Sequence, residues 1–170
     1  MKQEYHFEPS RIEIIVTKLI GNTLLQSYYN SFIKILGINN GDKVLDYCSG
    51  SGIISKKIAK KLKNGKLIFA DVSKEWLRHA ARNLSGYKAA KSIHLNDFNS
   101  GIMGGKYDKI IVHFALHDFP SDYHFLIINQ QIKNLKSDGM IFIREPLVEK
   151  HGLELYKLIN LLESLKVLSY

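Results

Sequence analysis

The sequence predicts an α/β protein built on a doubly wound, mostly parallel sheet, and three observations carry that expectation. From Asp42 onward, short apolar strand patterns alternate with helical ones. The segment YDKIIVHFA, residues 107–115, is nearly all apolar, as in a strand covered on both faces. A loop of small residues, Cys48-Ser49-Gly50-Ser51-Gly52, follows the first strand pattern. Sheets of this kind bind ligands at the carboxyl ends of their strands.

The elements follow in order. SRIEIIVTKLI reads as a helix that Gly21 stops. TLLQSYYNSFIKIL reads as a second helix, with Thr23 and Gln26 at the spacing of a capping box. Leu25, Tyr28, Tyr29, Phe32 and Leu36 form its apolar stripe. KVLDY is the first strand, with a helix from about Gly52. KLIFAD is the second strand, with a helix from Ser73 through Leu84. SIHLND is the third strand and YDKIIVHFA the fourth. The link between these two, residues 98–106, contains Gly101, Gly104 and Gly105 and has room for a loop or a single turn. SDYHFLIINQQIKNL is a helix capped by Ser121. Asp138-Gly139 marks a turn into MIFIRE, the fifth strand. GLELYKLINLLESL is a last helix, and KVLSY starts a sixth strand.

Composition bounds the class. A chain of 170 residues suits one domain, with residues 1–40 as N-terminal helices or cap and 41–170 as the core. The single cysteine excludes an internal disulfide and points to a reducing, cytoplasmic setting. No apolar run approaches about 18 residues, so no membrane partner is expected. The net charge of +8 allows weak attraction to polyanions. The densest charge run is KKIAKKLKNGK, residues 56–66. As a helix it puts Ile54, Ile58 and Leu62 on one face and turns its lysines to solvent. No aromatic residues interleave with those lysines to stack bases.

The chemistry concentrates where strands end. Asp46 closes the first strand, and Gly50 and Gly52 bracket the turn into the helix. Glycine there lets backbone amides approach a ligand with no Cβ in the way. The following helix start favours a carboxylate or phosphate. Asp71 ends the second strand, where an acid accepts from ribose hydroxyls. The plainer reading is a tight strand–helix turn and an Asp that caps a helix. Loop and acid together, after two strand patterns, favour the ligand reading.

These segments resemble the Rossmann-like, class I S-adenosylmethionine-dependent methyltransferases, over about Gly41 to Pro146. VLDYCSGSG resembles the first motif, FADVSKEWL the second, LNDF the third, YDKIIVHFALHDFP the fourth and LKSDGMIFIREP the fifth. The resemblance implies S-adenosyl-L-methionine as cofactor. It implies that backbone around Ser49 and Gly50 holds the methionine part, with Asp46 and Gly52 in the same loop. Asp71 would hold the ribose, Val72 would lie against adenine, and Asp97 and Phe98 would complete the pocket. His113 would contribute mainly its carbonyl. Cys48 stands where the family usually has glycine, which matters if the local φ is positive. The family's sheet normally adds a sixth and a seventh strand, so this one is expected to have its C-terminal strands short or missing. A homo-oligomer covering the exposed edge is one expected remedy.

Methyl transfer needs a general base only when the acceptor must lose a proton. His117 is the catalytic candidate, at the cleft end beside Asp118, since histidine titrates near neutrality. The plainer reading is a loop histidine bonded to backbone. Glu145 ends the fifth strand and faces the same region. Tyr28 and Tyr29 either pack or form a lid. His113 and His117, the latter with Asp118 adjacent, have no third spaced metal ligand beside them, so no metal is expected. After the fourth strand, HFALHDF replaces the Asn/Asp-Pro-Pro-aromatic step of nucleic-acid amino-methyltransferases. A small-molecule acceptor is therefore favoured over nucleic acid. Two rivals are a cofactor-binding module that is inactive without a partner or further segment, and an NAD-dependent oxidoreductase. The second rests on Gly50-Ser51-Gly52-Ile53-Ile54-Ser55, close to the dinucleotide fingerprint.

Overall fold

The computed structural model describes residues 8–23, 25–97 and 105–145. Phe98, most of the link after the third strand, and the expected last helix and sixth strand lie outside them. In order the elements are α1 (Arg11–Asn22), α2 (Gln26–Ile35), β1 (Lys43–Tyr47), α3 (Ile53–Ala59), β2 (Lys66–Asp71), α4 (Lys74–Leu84), β3 (Ala90–His94), β4 (Tyr107–His113), α5 (Ser121–Lys133) and β5 (Leu135–Arg144). A single 3-10 turn, Leu116–Asp118, joins β4 to α5.

The five strands form one parallel sheet in the order β3-β2-β1-β4-β5. The chain moves outward from β1 to β3, then returns to lay β4 on the other side of β1. The strand order therefore reverses between β1 and β4, which opens a crevice at their carboxyl ends. Period-two alternation builds a core on each face. Val44, Leu67, Phe69 and Ile111 pack under α2, α3 and α4. Leu45, Tyr47, Ile110 and Val112 pack with Ile127 of α5 and with Leu116 and Phe119. As expected, Ile54, Ile58 and Leu62 are buried.

Polar side chains fix the amino ends of the strands. Lys109 is buried inside β4, yet its Nζ donates to Asp42 Oδ2 at 2.7 Å and to the Gly37 carbonyl at 2.6 Å. A buried ammonium is tolerable when paired and hydrogen-bonded in this way. Asp108 accepts from the Lys43 amide at 2.8 Å and from Lys136 Nζ at 2.7 Å, joining β1, β4 and β5.

Several local expectations need correction. The helix α1 runs through Gly21. That glycine serves close packing, because a Cβ there would stand 2.3 Å from Ile53 Cδ1. The capping box does not form: Thr23 Oγ1 donates back to the Leu19 carbonyl at 2.6 Å, and Gln26 Nε2 donates to the Gly21 carbonyl at 2.7 Å. Ser121 is the first residue of α5, and Pro120 holds the cap position. The strand β5 begins at Leu135, opposite Tyr107, and next pairs Met140 with Lys109. The Asp138-Gly139 turn is thus an excursion within the strand. No helix among the described residues is long and apolar enough to cross a membrane.

Candidate active site

The crevice is built from the ends of β1, β2, β4 and β5. After Tyr47 the chain turns through Cys48, at φ +56°, and Gly50, at φ +52°. Nothing lies within 4 Å of where a Gly50 Cβ would stand, so this backbone is open to a ligand. Gly52, at φ +75°, instead lies against α4, where a Cβ would stand 2.8 Å from Ala80 Cβ. The two glycines of the loop therefore have different tasks, access and packing.

Asp71 ties this loop to β2. Its Oδ2 accepts from the Gly50 amide and its Oδ1 from the Ser73 amide, at 2.8 and 2.9 Å. The Ser49 amide donates to the Ala70 carbonyl at 3.0 Å, while the buried Ser49 Oγ has no hydrogen-bond partner among the described residues. Asp46 points toward α3 and accepts from Ser55 Oγ. The serine at the third position of the dinucleotide-like pattern thus bonds a buried carboxylate. Both acids are raised, Asp46 to about 7 and Asp71 to about 6. Burial is the largest cause for each, and the charge of Asp71 adds to the shift of Asp46. Two desolvated carboxylates near one open loop suit a cationic ligand.

The remaining cofactor candidates lie around this centre. Val72 is half-buried and its carbonyl bonds His94 Nε2 at 3.0 Å. Asp97 is exposed just beyond β3. The His113 ring lies 4.9 Å from Phe32, 5.7 Å from Tyr29 and 4.4 Å from Phe114, between ring centres. Burial, and then the nearby Arg144 charge, lower His113 to about 4, so it is neutral at pH 7. Tyr29 is buried, and Tyr28 stacks on Phe114 with the Arg144 guanidinium 3.3 Å above its ring. Both tyrosines pack in this structure. Phe114 itself has φ +52°, rare for a bulky residue. Backbone strain of this kind clusters at functional sites, and here it occurs at the ends of both strands that flank the crevice.

The side chain that meets His117 is Glu145. His117 Nδ1 lies 2.8 Å from Glu145 Oε2, whereas Nε2 lies 3.9 Å from Asp118 Oδ1. Glu145 Oε1 also accepts from the Ala115 and Leu116 amides, each at 2.8 Å. Burial raises the Glu145 pKa, but the bonds from His117, Leu116 and Ala115 outweigh it and leave the carboxyl below its usual range. An ionised Glu145 accepts from Nδ1–H, a tautomer whose lone pair is on Nε2. Among the described residues no group of three or more His, Cys, Asp or Glu could hold a metal ion.

Cys48 feels the charge of acids from both strand ends. Burial raises its thiol well above the usual value, and the charges of Asp71, Asp118, Asp46 and Glu145 add to that in turn. It is a neutral thiol at pH 7 and a poor nucleophile. Cys48→Ala, which keeps a Cβ at the same positive φ, is expected to retain turnover and cofactor affinity. Iodoacetamide should label the native thiol at pH 8 far more slowly than the urea-unfolded one. Loss of turnover in Cys48→Ala, or rapid native labelling, would contradict this.

Besides the Glu145 partner of His117, sequence reasoning alone missed three further contacts around the site. Ser55 appears there only as a departure from a dinucleotide pattern, not as the donor to Asp46. Glu8 accepts from Ser73 Oγ at 2.8 Å and from the Lys74 and Glu75 amides at 2.9 and 3.0 Å, beside Asp71. The stacking of Arg144 on Tyr28 joins residues 116 apart in sequence. No local pattern marks the last two.

Comparison with known proteins agrees with the fold. The methyltransferase small domain family matches residues 29–165. No curated protein matches the sequence. Among solved structures, the chain is similar to coclaurine N-methyltransferase bound to N-methylheliamine and SAH, with 18% identity and TM-score 0.62 over 69% of this chain and 34% of that one. It is similar to a SAM-dependent methyltransferase from Aquifex aeolicus, with 20% identity and TM-score 0.69 over 82% of this chain and 75% of that one. It is also similar to a SAM-dependent methyltransferase from Thiobacillus denitrificans in complex with S-adenosyl-L-homocysteine, with 20% identity and TM-score 0.64 over 81% and 56% of the two chains. The chain thus spans only 34% and 56% of two of these proteins.

Proposed function

The chain belongs to the methyltransferase small domain family, and from that premise we propose that it transfers the methyl group of S-adenosyl-L-methionine to a small-molecule acceptor, with His117 as general base. The observation that carries this reading is the meeting, where the strand order reverses, of an open small-residue loop and an oriented histidine. The nicotinamide alternative has no support in the family match. The single cysteine remains consistent with a cytoplasmic setting.

The residues fit the cofactor on structural grounds. The open face of Gly50 admits a close approach, and the unpartnered Ser49 Oγ offers a buried polar contact. Asp71 has further lone pairs beyond its two amide bonds, so it can still accept from a ribose. Bound there, S-adenosylmethionine supplies a methyl group on a sulfonium. The protein's part is to align the acceptor and keep the crevice dry. Glu145 holds His117 so that Nε2 can take the acceptor's proton. The segment after β4 lacks the Pro-Pro-aromatic step of nucleic-acid amino-methyltransferases, which supports a small acceptor.

A pH prediction follows from the raised acids. A cationic ligand favours ionised carboxylates, so cofactor affinity should rise as pH goes from about 5.5 to about 7.5. Stability of the ligand-free protein should respond with opposite sign. The contribution of Asp46 and Asp71 is fully present below their ordinary value of 3.8 and is lost as pH rises through about 6 to about 7. Calorimetry and urea unfolding across that range check both trends. A flat affinity profile would show that neither carboxylate faces the ligand's charge.

The acceptor class has its own test. The protein is incubated with methyl-labelled S-adenosylmethionine and a mixture of phenols, amines, carboxylates and RNA. Label on a small molecule is the expected result, and label in RNA alone would overturn the small-acceptor reading.

A further inference from the structure

Ser51 and Gly52 of the small-residue loop also border a second concavity, together with residues of α1, α2, α3 and α4. It is a groove of about 330 Å³ whose lining includes Lys18, Gln26, Lys56, Lys57, Lys60 and Asn83. Four ammonium groups border it, from α1 and from α3 with the turn that ends it, and among the described residues no acidic one does. None of these four lysines makes an ion pair among the described residues.

We infer that this groove binds a compact, multiply charged oxyanion of the pyrophosphate or organic diphosphate class. Lys57 is its fixed centre. Its Nζ donates to Gln26 Oε1 and to Asn30 Oδ1, each at 2.7 Å, and Gln26 is itself held by the Gly21 carbonyl. Both acceptors are neutral amides, so they position the ammonium and leave its charge uncompensated. Burial lowers the Lys57 pKa, and the charge of Lys60 lowers it further, so two like charges are kept close, with no ion pair to either among the described residues. A bound polyanion removes that repulsion and forms charge-assisted bonds. Asn83, also in the lining, is held by its Nδ2 donating to the Ser51 carbonyl at 3.0 Å. The concave shape and the absence of any aromatic lining residue favour a small anion over a nucleic-acid strand, which would need bases to stack. Lys56, Lys57 and Lys60 therefore do more than solvate the back of a helix. This site is independent of the methyl-transfer reading.

The test is calorimetry of the full chain with sodium pyrophosphate at about 0.1 M salt, where screening leaves only close charges effective. Saturable binding is expected. Lys18→Gln/Lys56→Gln/Lys60→Gln should weaken it by tenfold or more. Lys60→Gln alone, at an exposed position, should weaken it less and in the same direction. A control with the same charge change elsewhere, Lys61→Gln/Lys63→Gln/Lys88→Gln, should stay within about twofold of the parent, as expected for a local site. Circular dichroism confirms that each variant is folded. No binding by the parent protein, equal losses in the two triple variants, or binding of a single-stranded oligonucleotide but not of pyrophosphate would overturn the inference. S-adenosylmethionine binding and turnover stand or fall separately from these results.

Discussion

Turnover should fall about 10²–10⁴-fold in His117→Ala, with cofactor affinity unchanged. The structure supports that separation of effects. His117 belongs to the turn after β4, and the small-residue loop belongs to the turn after β1, so removing the imidazole leaves the loop's bonds to Asp71 in place. The role of Glu145 can be tested in the same series. Glu145→Gln can still accept from the Ala115 and Leu116 amides through its amide oxygen, but it loses the charge that favours Nδ1–H. Its turnover should fall, and its pH–rate profile should shift, with little change in stability. A purely structural glutamate would change stability and leave the pH profile where it was. Unaltered turnover in His117→Ala would remove the general base from the mechanism.

Asp71→Ala should weaken cofactor binding by roughly 1.5–3 kcal/mol, the loss of a hydrogen bond to a charged group. That is about tenfold or more in Kd. The bonds to the Gly50 and Ser73 amides mean that two effects contribute. One is the lost acceptor for the ribose, and the other is a small-residue loop no longer tied to β2. Asp71→Asn separates them, because an amide oxygen can keep one backbone bond while the charge is gone. If charge and ribose contact dominate, the asparagine variant binds almost as weakly as the alanine variant and is more stable. If loop anchoring dominates, the asparagine variant recovers most of the affinity. Unchanged affinity in both would mean that the ribose lies elsewhere.

Much of the fold is legible in the sequence because burial alternates with a strict period. Val44 and Leu45 face opposite cores, as do Ile110 and Ile111, so strands covered on both sides read as continuous apolar runs. The cofactor loop is legible for a different reason: glycines and acids recur at strand ends, where only small residues and acceptors fit a ligand. What escapes the sequence is long-range or conformational. Glu145 meets His117 across 28 positions, and Glu8 meets Ser73 across 65. The positive φ at Phe114 contradicts every local preference of a bulky residue, so tertiary packing imposes it. Gly21 looks like a helix stop, yet its task is to admit Ile53, which no one-dimensional pattern reveals. Lys109 interrupts an otherwise apolar strand, and only the approach of Asp42 and the Gly37 carbonyl accounts for it.

The central claim is that the crevice where the strand order reverses takes S-adenosylmethionine, and calorimetry on the folded chain tests it most directly. Titrations with S-adenosylmethionine, S-adenosylhomocysteine and NAD(H) are compared at pH 7.5. Binding of the first two at about micromolar Kd, near −8 kcal/mol, with no heat from NAD(H), is the predicted result. Folded protein that binds neither sulfur compound, or that binds NAD(H) instead, would contradict it.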